Sequence, residues 1–270
     1  MTLVTQEATS VIIDIHRHVW SSSERHPSLR EAYRKSPAMS TRLDIAGDLP
    51  VIPDWEERGR EIIADMNEAG VDLSVLLLAD YALRLGDSVF SVEGENRVQI
   101  ELVRRYKDRL LPFFGIDPRR PNAAELFEKA ITEWGVRGLK LHPTVGYYPY
   151  DEVCHPLYEL CVHHGIPVIF HSGPMPGLLY SRFTAPLNFA DVAADFPNLT
   201  IILAHAGQDS WREALNVARI KPNIYLELSI WQYSVKYIEE FIFAIDRMRN
   251  DVGIERILWG SDLPGTLHLM

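Results

Sequence analysis

The sequence predicts an α/β fold, a single (β/α)8 barrel, and three observations point there. Eight short, near-continuous apolar runs alternate with stretches of helical period. The runs are rich in β-branched residues and show little polar alternation, as parallel strands covered on both faces do. The 270 residues suit one barrel of about 250, and no linker or internal repeat divides them.

The expected strands are Val11–Ile15, Leu73–Ala79, Leu111–Ile116, Val136–Leu141, Pro167–Phe170, Leu199–Ala204, Ile224–Leu228 and Ile254–Trp259. Between them come helices at Trp55–Ala69, Asn96–Tyr106, Ala123–Trp134, Asp151–His164, Phe189–Phe196, Trp211–Arg219 and Val235–Arg249. Such alternation builds βαβ units. Punctuation agrees, because Gly135 and Gly165 end two of the helices where a left-handed residue is wanted. One unit departs. Residues 21–52, rich in Ser, Pro and Arg, follow the first strand's C-terminal end, so they are expected over the barrel mouth as a lid or subunit contact. The final helix reads as incomplete: Gly265–Met270 is the start of one, or another element covers the eighth strand. An apolar groove beside the first and eighth strands is the corresponding expectation, unless the N-terminal ten residues or a partner subunit fill it.

Charge narrows the function classes. The formal net charge is −10, which argues against nucleic-acid or anionic-membrane partners. No apolar run reaches the length of a membrane span, and Met1–Ser10 has no signal-like apolar core. Cys154 and Cys161 fall in one predicted helix, roughly 10 Å apart along its axis, too far to bridge. A reduced, cytoplasmic protein is expected.

The chemistry sits at strand C-terminal ends, where barrels carry their active sites. The first strand ends Asp14-Ile15-His16-Arg17-His18, which puts Asp14, His16 and His18 on one face, inward if Ile15 points out. The fifth ends at His171-Ser172-Gly173, the sixth at His205-Ala206-Gly207 and the eighth at Gly260-Ser261-Asp262. A lone His at such a place is more often a satisfied polar group, and Asp262 alone could cap a helix. Converging on one rim, they read as a site for one divalent ion, with Zn2+ the first expectation.

These motifs, together with Arg137-Gly138-Leu139-Lys140-Leu141-His142-Pro143 and Trp259-Gly260-Ser261-Asp262-Leu263-Pro264, resemble the amidohydrolase superfamily. The likeness is to the amidohydrolase-related branch of TIM-barrel metal-dependent hydrolases, which includes aminocarboxymuconate-semialdehyde decarboxylase and dicarboxylate lactonases. The resemblance spans residues 14–264 in the family's order. It implies that His16, His18, His171 and Asp262 bind one metal, and that His205 is an acid–base or electrostatic group. A divalent ion lowers the pKa of water towards about 7. Asp262 could then accept the proton and return it to the leaving group, while His205 stabilises the developing oxyanion. Asp14 reads either as a group orienting a ligand histidine or as an ordinary backbone acceptor. In binuclear members a lysine from the fourth strand is carboxylated and bridges two metals. The Lys-Leu-His-Pro motif points instead to one metal, with Lys140 an anion-binding or structural charge.

Substrate contacts are sought on the surrounding loops, at Lys140, His142, Tyr180, Arg182 and Trp231, with Tyr147 and Tyr148 nearby. An Arg beside an aromatic wall suits a planar carboxylate, although ordinary loop packing accounts for each residue as well. The first reading is a metal-dependent hydrolase of a small carboxylated or cyclic compound, a lactone or amide. The second uses the same site for nonoxidative decarboxylation of an aromatic or muconate-type acid, and the third is a catalytically silent binding barrel. The branch and the long segment after the first strand suggest a homodimer.

Overall fold

All the strand pairings are parallel in the structure, a computed structural model describing residues 10–19, 28, 31, 32, 35, 55–86, 91–231 and 237–262. β1 (Ile13–Arg17), β2 (Leu73–Leu76) and β3 (Leu110–Pro112) form one ladder. β4 (Phe114–Gly115), β5 (Leu139–Leu141), β6 (Val168–His171), β7 (Ile201–Ala204), β8 (Ile224–Glu227) and β9 (Ile257–Leu258) form the other.

Two seams join the ladders into a barrel. β3 and β4 are halves of one run that changes partner. Phe113 N donates to Leu76 O at 3.0 Å, and Phe114 N donates to Gly138 O at 2.8 Å. Opposite, Ile15 N donates to Trp259 O at 3.2 Å, which ties β1 to the end of β9. The α/β barrel expected from the eight apolar runs is thereby present.

The helices are α1 (Trp55–Ala69), α2 (Ala82–Leu85), α3 (Val92–Arg105), α4 (Ala123–Trp134), α5 (His155–His164), α6 (Phe189–Asp195), α7 (Trp211–Ile220) and α8 (Ile238–Val252). α3 begins four residues before the expected Asn96, because Ser91 Oγ accepts from Gly94 N and caps it there. The segment expected as a helix from Asp151 opens as a 3-10 turn, Glu152–Cys154, and α5 starts only at His155, with Pro156 in its first turn. The eighth strand is shorter than expected: Ile254–Arg256 is a 3-10 turn, and Ile254 is exposed. α2 is too short to show a helical period.

Side chains alternate across the barrel wall. Val168 and Phe170 of β6, Ile201 and Leu203 of β7, and Leu139 and Leu141 of β5 pack outward with the helices, around Phe114 and Phe127. Ile169, Ile202 and Ala204 fill the interior with Val75, Leu77 and Phe113. Continuing the alternation, Lys140, His171 and Glu227 turn inward at the strand ends. β1 breaks the rule. Ile15 packs against the interior cluster rather than outside it, and a register shift between Asp14 and Arg17 resets the alternation. His16 and His18 still reach the mouth, while Arg17 is buried in an ion pair with Asp65 of α1.

The segment 21–52 lies outside the described residues apart from Ser28, Glu31, Ala32 and Lys35; Ala32 sits against Gly177 in the loop after β6. Gly265–Met270 also lies outside them. Where an apolar groove was expected, Val11, Ile12 and Ile13 are exposed and Ile257 and Leu258 half-buried. Among the described residues no helix is long and apolar enough to cross a membrane.

Both cysteines are free and buried, and burial pushes the Cys154 thiol up to about 12 and the Cys161 thiol higher. A thiol reacts as its thiolate. The native protein is therefore expected to leave Ellman's reagent unreacted at pH 8 and to release two equivalents on unfolding in urea. Prompt reaction of either thiol in the native state would contradict this burial.

Candidate metal centre

The mouth of the barrel gathers the acids and imidazoles around Asp262. Its Oδ1 lies 3.2 Å from His16 Nε2 and 3.2 Å from His18 Nε2. His205 joins them: one donor atom from each of His16, His205 and Asp262 lies within 4.8 Å of the others. The His16 and His205 rings are 5.1 Å apart between centroids, and those of His205 and His171 are 4.8 Å apart.

Hydrogen bonds fix the tautomers. His18 Nδ1–H donates to the Leu77 carbonyl at 2.8 Å, so its Nε2 presents a lone pair to Asp262. His16 Nδ1–H donates to Glu227 Oε2 at 3.0 Å, leaving its Nε2 in the same role. Ser229 Oγ–H donates to Glu227 Oε2 at 2.8 Å, and having one hydrogen it must accept from His205 Nδ1–H, also at 2.8 Å. His205 Nε2 is therefore an acceptor as well. His171 Nε2 is buried with no hydrogen-bond partner.

This donor set fits a divalent cation. Two imidazole lone pairs and a carboxylate oxygen face one point, where they repel each other unless positive charge lies between them. The orphaned Nε2 of His171 supplies a further unpaired donor. Imidazole with carboxylate suits Zn2+ and Mn2+ alike.

Glu227, which the sequence reading passed over as part of a strand, holds the cluster together. It is fully buried at the end of β8. Besides His16 and Ser229 Oγ, its Oε2 accepts from His205 N at 3.1 Å, and its Oε1 accepts from Ser229 N. Burial pushes its carboxyl up to about 7, against these hydrogen bonds, with the nearby Asp262 charge pushing the same way. The available signal was a glutamate inside an apolar run, since such a group is seldom buried unless paired.

Asp14 serves the backbone rather than a ring. Its Oδ1 accepts from His16 N at 3.1 Å and Ser261 N at 2.9 Å, and its Oδ2 from Ser261 Oγ at 2.7 Å. Burial raises its carboxyl to about 6. Asp262 N in turn donates to His16 O at 2.7 Å. Gly260 permits this crossing, for a Cβ there would meet His16 and Glu227 Oε1. Non-glycine residues in the left-handed region cluster here too, with His205 at φ 62°, Ala206 at 44°, Gln208 at 55°, Ile230 at 65° and Asp262 at 53°. Backbone strain of this kind collects at functional sites.

Lys140 is buried; desolvation lowers its ammonium to about 8, opposed by the charges of Asp262 and Glu227. His142 stacks on His171 at 4.2 Å, accepts or donates at 2.9 Å with Tyr81 Oη, and bonds Thr144 Oγ1 at 2.6 Å. Burial holds the pKa of both imidazoles well below the usual value. Trp231 is buried, and its Nε1 donates to the His205 carbonyl at 2.8 Å. Tyr180 and Arg182 lie further out, with the guanidinium 4.6 Å from the ring centroid. Tyr147 is buried beneath Arg119, and Tyr148 stacks on Tyr150.

Known proteins with this architecture include an uncharacterized TIM-barrel protein from Bordetella bronchiseptica, 25% identical at a TM-score of 0.70, covering 94% of this chain and 86% of that one. The 5-carboxyvanillate decarboxylase of Novosphingobium aromaticivorans, solved with manganese and 4-hydroxy-3-methoxy-5-nitrobenzoic acid, is 16% identical with a TM-score of 0.67, covering 96% and 88%. 4-Oxalomesaconate hydratase from Rhodopseudomonas palustris is 19% identical with a TM-score of 0.59, covering 93% and 82%. At that identity the last two likenesses show the fold. No curated protein is significantly similar in sequence. The amidohydrolase family model matches residues 13–268, from the start of β1 through Asp262. With that match running through every strand end that feeds the cluster, the chain belongs to the amidohydrolase family of metal-dependent enzymes.

Proposed function

We propose that the protein hydrolyses a C–O or C–N bond of a small carboxylated or cyclic compound, a lactone or amide, with one divalent ion held by His16, His18, His171 and Asp262. The observation that carries this reading is the pair of 3.2 Å approaches of His16 and His18 to one oxygen of Asp262. Bound there, the ion supplies Lewis acidity and acidifies water at neutral pH.

The chain's own groups do the rest. Asp262 accepts the proton of the attacking water. His205 presents an acceptor Nε2, so it can take that proton on and return it to the leaving oxygen or nitrogen. Once protonated, its new N–H faces the developing oxyanion. Ser229 and Glu227 keep the His205 ring from turning away. Lys140 supplies a fixed positive charge beside Asp262. Trp231 and Glu227 pin the His205 backbone from both sides.

Elemental analysis of the purified chain is expected to give one Zn2+ or Mn2+ per chain. Loaded protein should release acid from members of a lactone and amide panel, and lose that activity on chelation. CO2 release from hydroxy-aromatic acids without acid release from lactones would replace this reading with decarboxylation. Two metal equivalents would instead support a carboxylated, bridging Lys140.

A further inference from the structure

We propose that Arg84, Arg182 and Tyr180 form a subsite for a carboxylate remote from the scissile bond, on the His142 side of the metal centre. The inference rests on the hydrolase site proposed above and assigns it a specificity determinant. Both guanidinium groups stack on the one Tyr180 ring, Arg84 at 4.2 Å and Arg182 at 4.6 Å from its centroid. Arg182 also lies 4.4 Å over Phe183. Neither guanidinium has a carboxylate partner among the described residues. The neighbouring arginines differ: Arg119 is paired with Asp117, and Arg120 with Asp80. On a chain of net charge −10, two uncompensated guanidinium groups on one ring are an unfinished ion pair.

Their placement ties them to the catalytic cluster by two routes. Arg84 follows Tyr81 by three residues, about 4.5 Å of helical rise, and Tyr81 Oη sits 2.9 Å from His142 Nε2. Tyr180 N donates to Thr144 O at 2.8 Å, and Thr144 Oγ1 bonds His142 Nδ1 at 2.6 Å. His142 in turn stacks on His171. Arg84 is oriented as well, because its Nε–H donates to the Leu178 carbonyl at 2.8 Å. That leaves its two Nη groups, the end that grips a carboxylate through two parallel hydrogen bonds. Its guanidinium carbon lies over the aromatic ring, as does that of Arg182.

The test is calorimetric titration of metal-loaded, full-length protein with benzoate, isophthalate and terephthalate, with metal content measured on the same samples. One of the two dicarboxylates is expected to bind about tenfold more tightly than benzoate, the gain of one charge-assisted pair. In R84Q/R182Q that preference should shrink to about twofold or less, and in R84K it should be intermediate, since lysine keeps the charge and loses the fork. Equal binding of all three probes, no binding of any, or an undiminished preference in the double variant would overturn the subsite. A double variant that loses thermal stability while keeping its preference would show that the arginines hold another part of this chain. If the subsite fails while one metal per chain is found, the hydrolase reading stands. If the protein takes up no metal, it is that reading which falls.

Discussion

Replacing Glu227 with alanine is expected to lower the unfolding free energy of the metal-free protein by about 4 kcal/mol, read from urea denaturation. The carboxylate is fully buried and accepts from His16 Nδ1, His205 N, Ser229 N and Ser229 Oγ. Removing it strands these donors away from water, and each buried donor left unmade costs about 1–3 kcal/mol. Glu227→Gln is the milder change. It keeps the shape, but its amide NH2 faces donors where an oxygen is needed, so the tautomers of His16 and His205 are no longer held. Metal affinity is expected to fall about 10–100-fold by chelator competition, as losses of a carboxylate behind a ligand histidine do. Unchanged metal affinity in Glu227→Gln would remove Glu227 from any role beyond packing.

The pH dependence has a definite sign. Burial raises the Glu227 carboxyl from 4.5 to about 7, so in the folded metal-free state the ionised form is the costly one. Below about pH 4.5 the group is protonated folded or unfolded and costs nothing. As pH rises from there through 7, the unfolded chain releases the proton first, and stability falls. His142 and His171, buried neutral, contribute in the opposite sense as pH rises through 6.5. The Glu227 contribution is therefore read by difference: between pH 5 and pH 8, chelator-treated Glu227→Gln should gain stability relative to chelator-treated wild type.

Asp262→Asn is expected to lower kcat by about a hundredfold to ten-thousandfold on whichever panel substrate is turned over. Stability should change by less than about 1 kcal/mol, because the amide NH2 can donate to the lone pairs that His16 and His18 present. The two effects separate the roles of the side chain. If saturating Zn2+ or Mn2+ restores turnover, Asp262 serves only as a ligand and the proton moves through His205. If turnover stays low with metal bound, the carboxylate is the acceptor.

Much of this was legible in the sequence, for identifiable reasons. Parallel strands buried on both faces write themselves as apolar runs, and Leu111–Ile116 is recognisable as one strand although its two halves pair with different neighbours. His16, His18, His171, His205 and Asp262 stand out because polar residues close otherwise apolar segments. What escaped is what a period cannot carry. The inward turn of His16 was inferred from strict alternation past Ile15, whereas a register shift in β1 produces it. Glu227 was hidden because it lies before the run's last residue, where its neighbours Leu226 and Leu228 mask it. Arg84 sits on a four-residue helix too short to show a face, and Tyr81 immediately precedes it. Of the two readings open for Asp14 the backbone one holds, and Glu227, which carried no role in the sequence, is the acid that holds the His16 ring.

The seam between β1 and β9 has a consequence for assembly. Ser261 binds Asp14 across 247 positions of sequence, and Asp262 reaches His16 and His18 through the same join. The metal pocket therefore does not exist on any chain whose last strand has yet to meet its first. Contacts of such long separation form late, because the loop-closure entropy must be overcome first. High-affinity metal uptake thus reports that the ring is complete, and a bound ion acts as a clasp that slows its reopening.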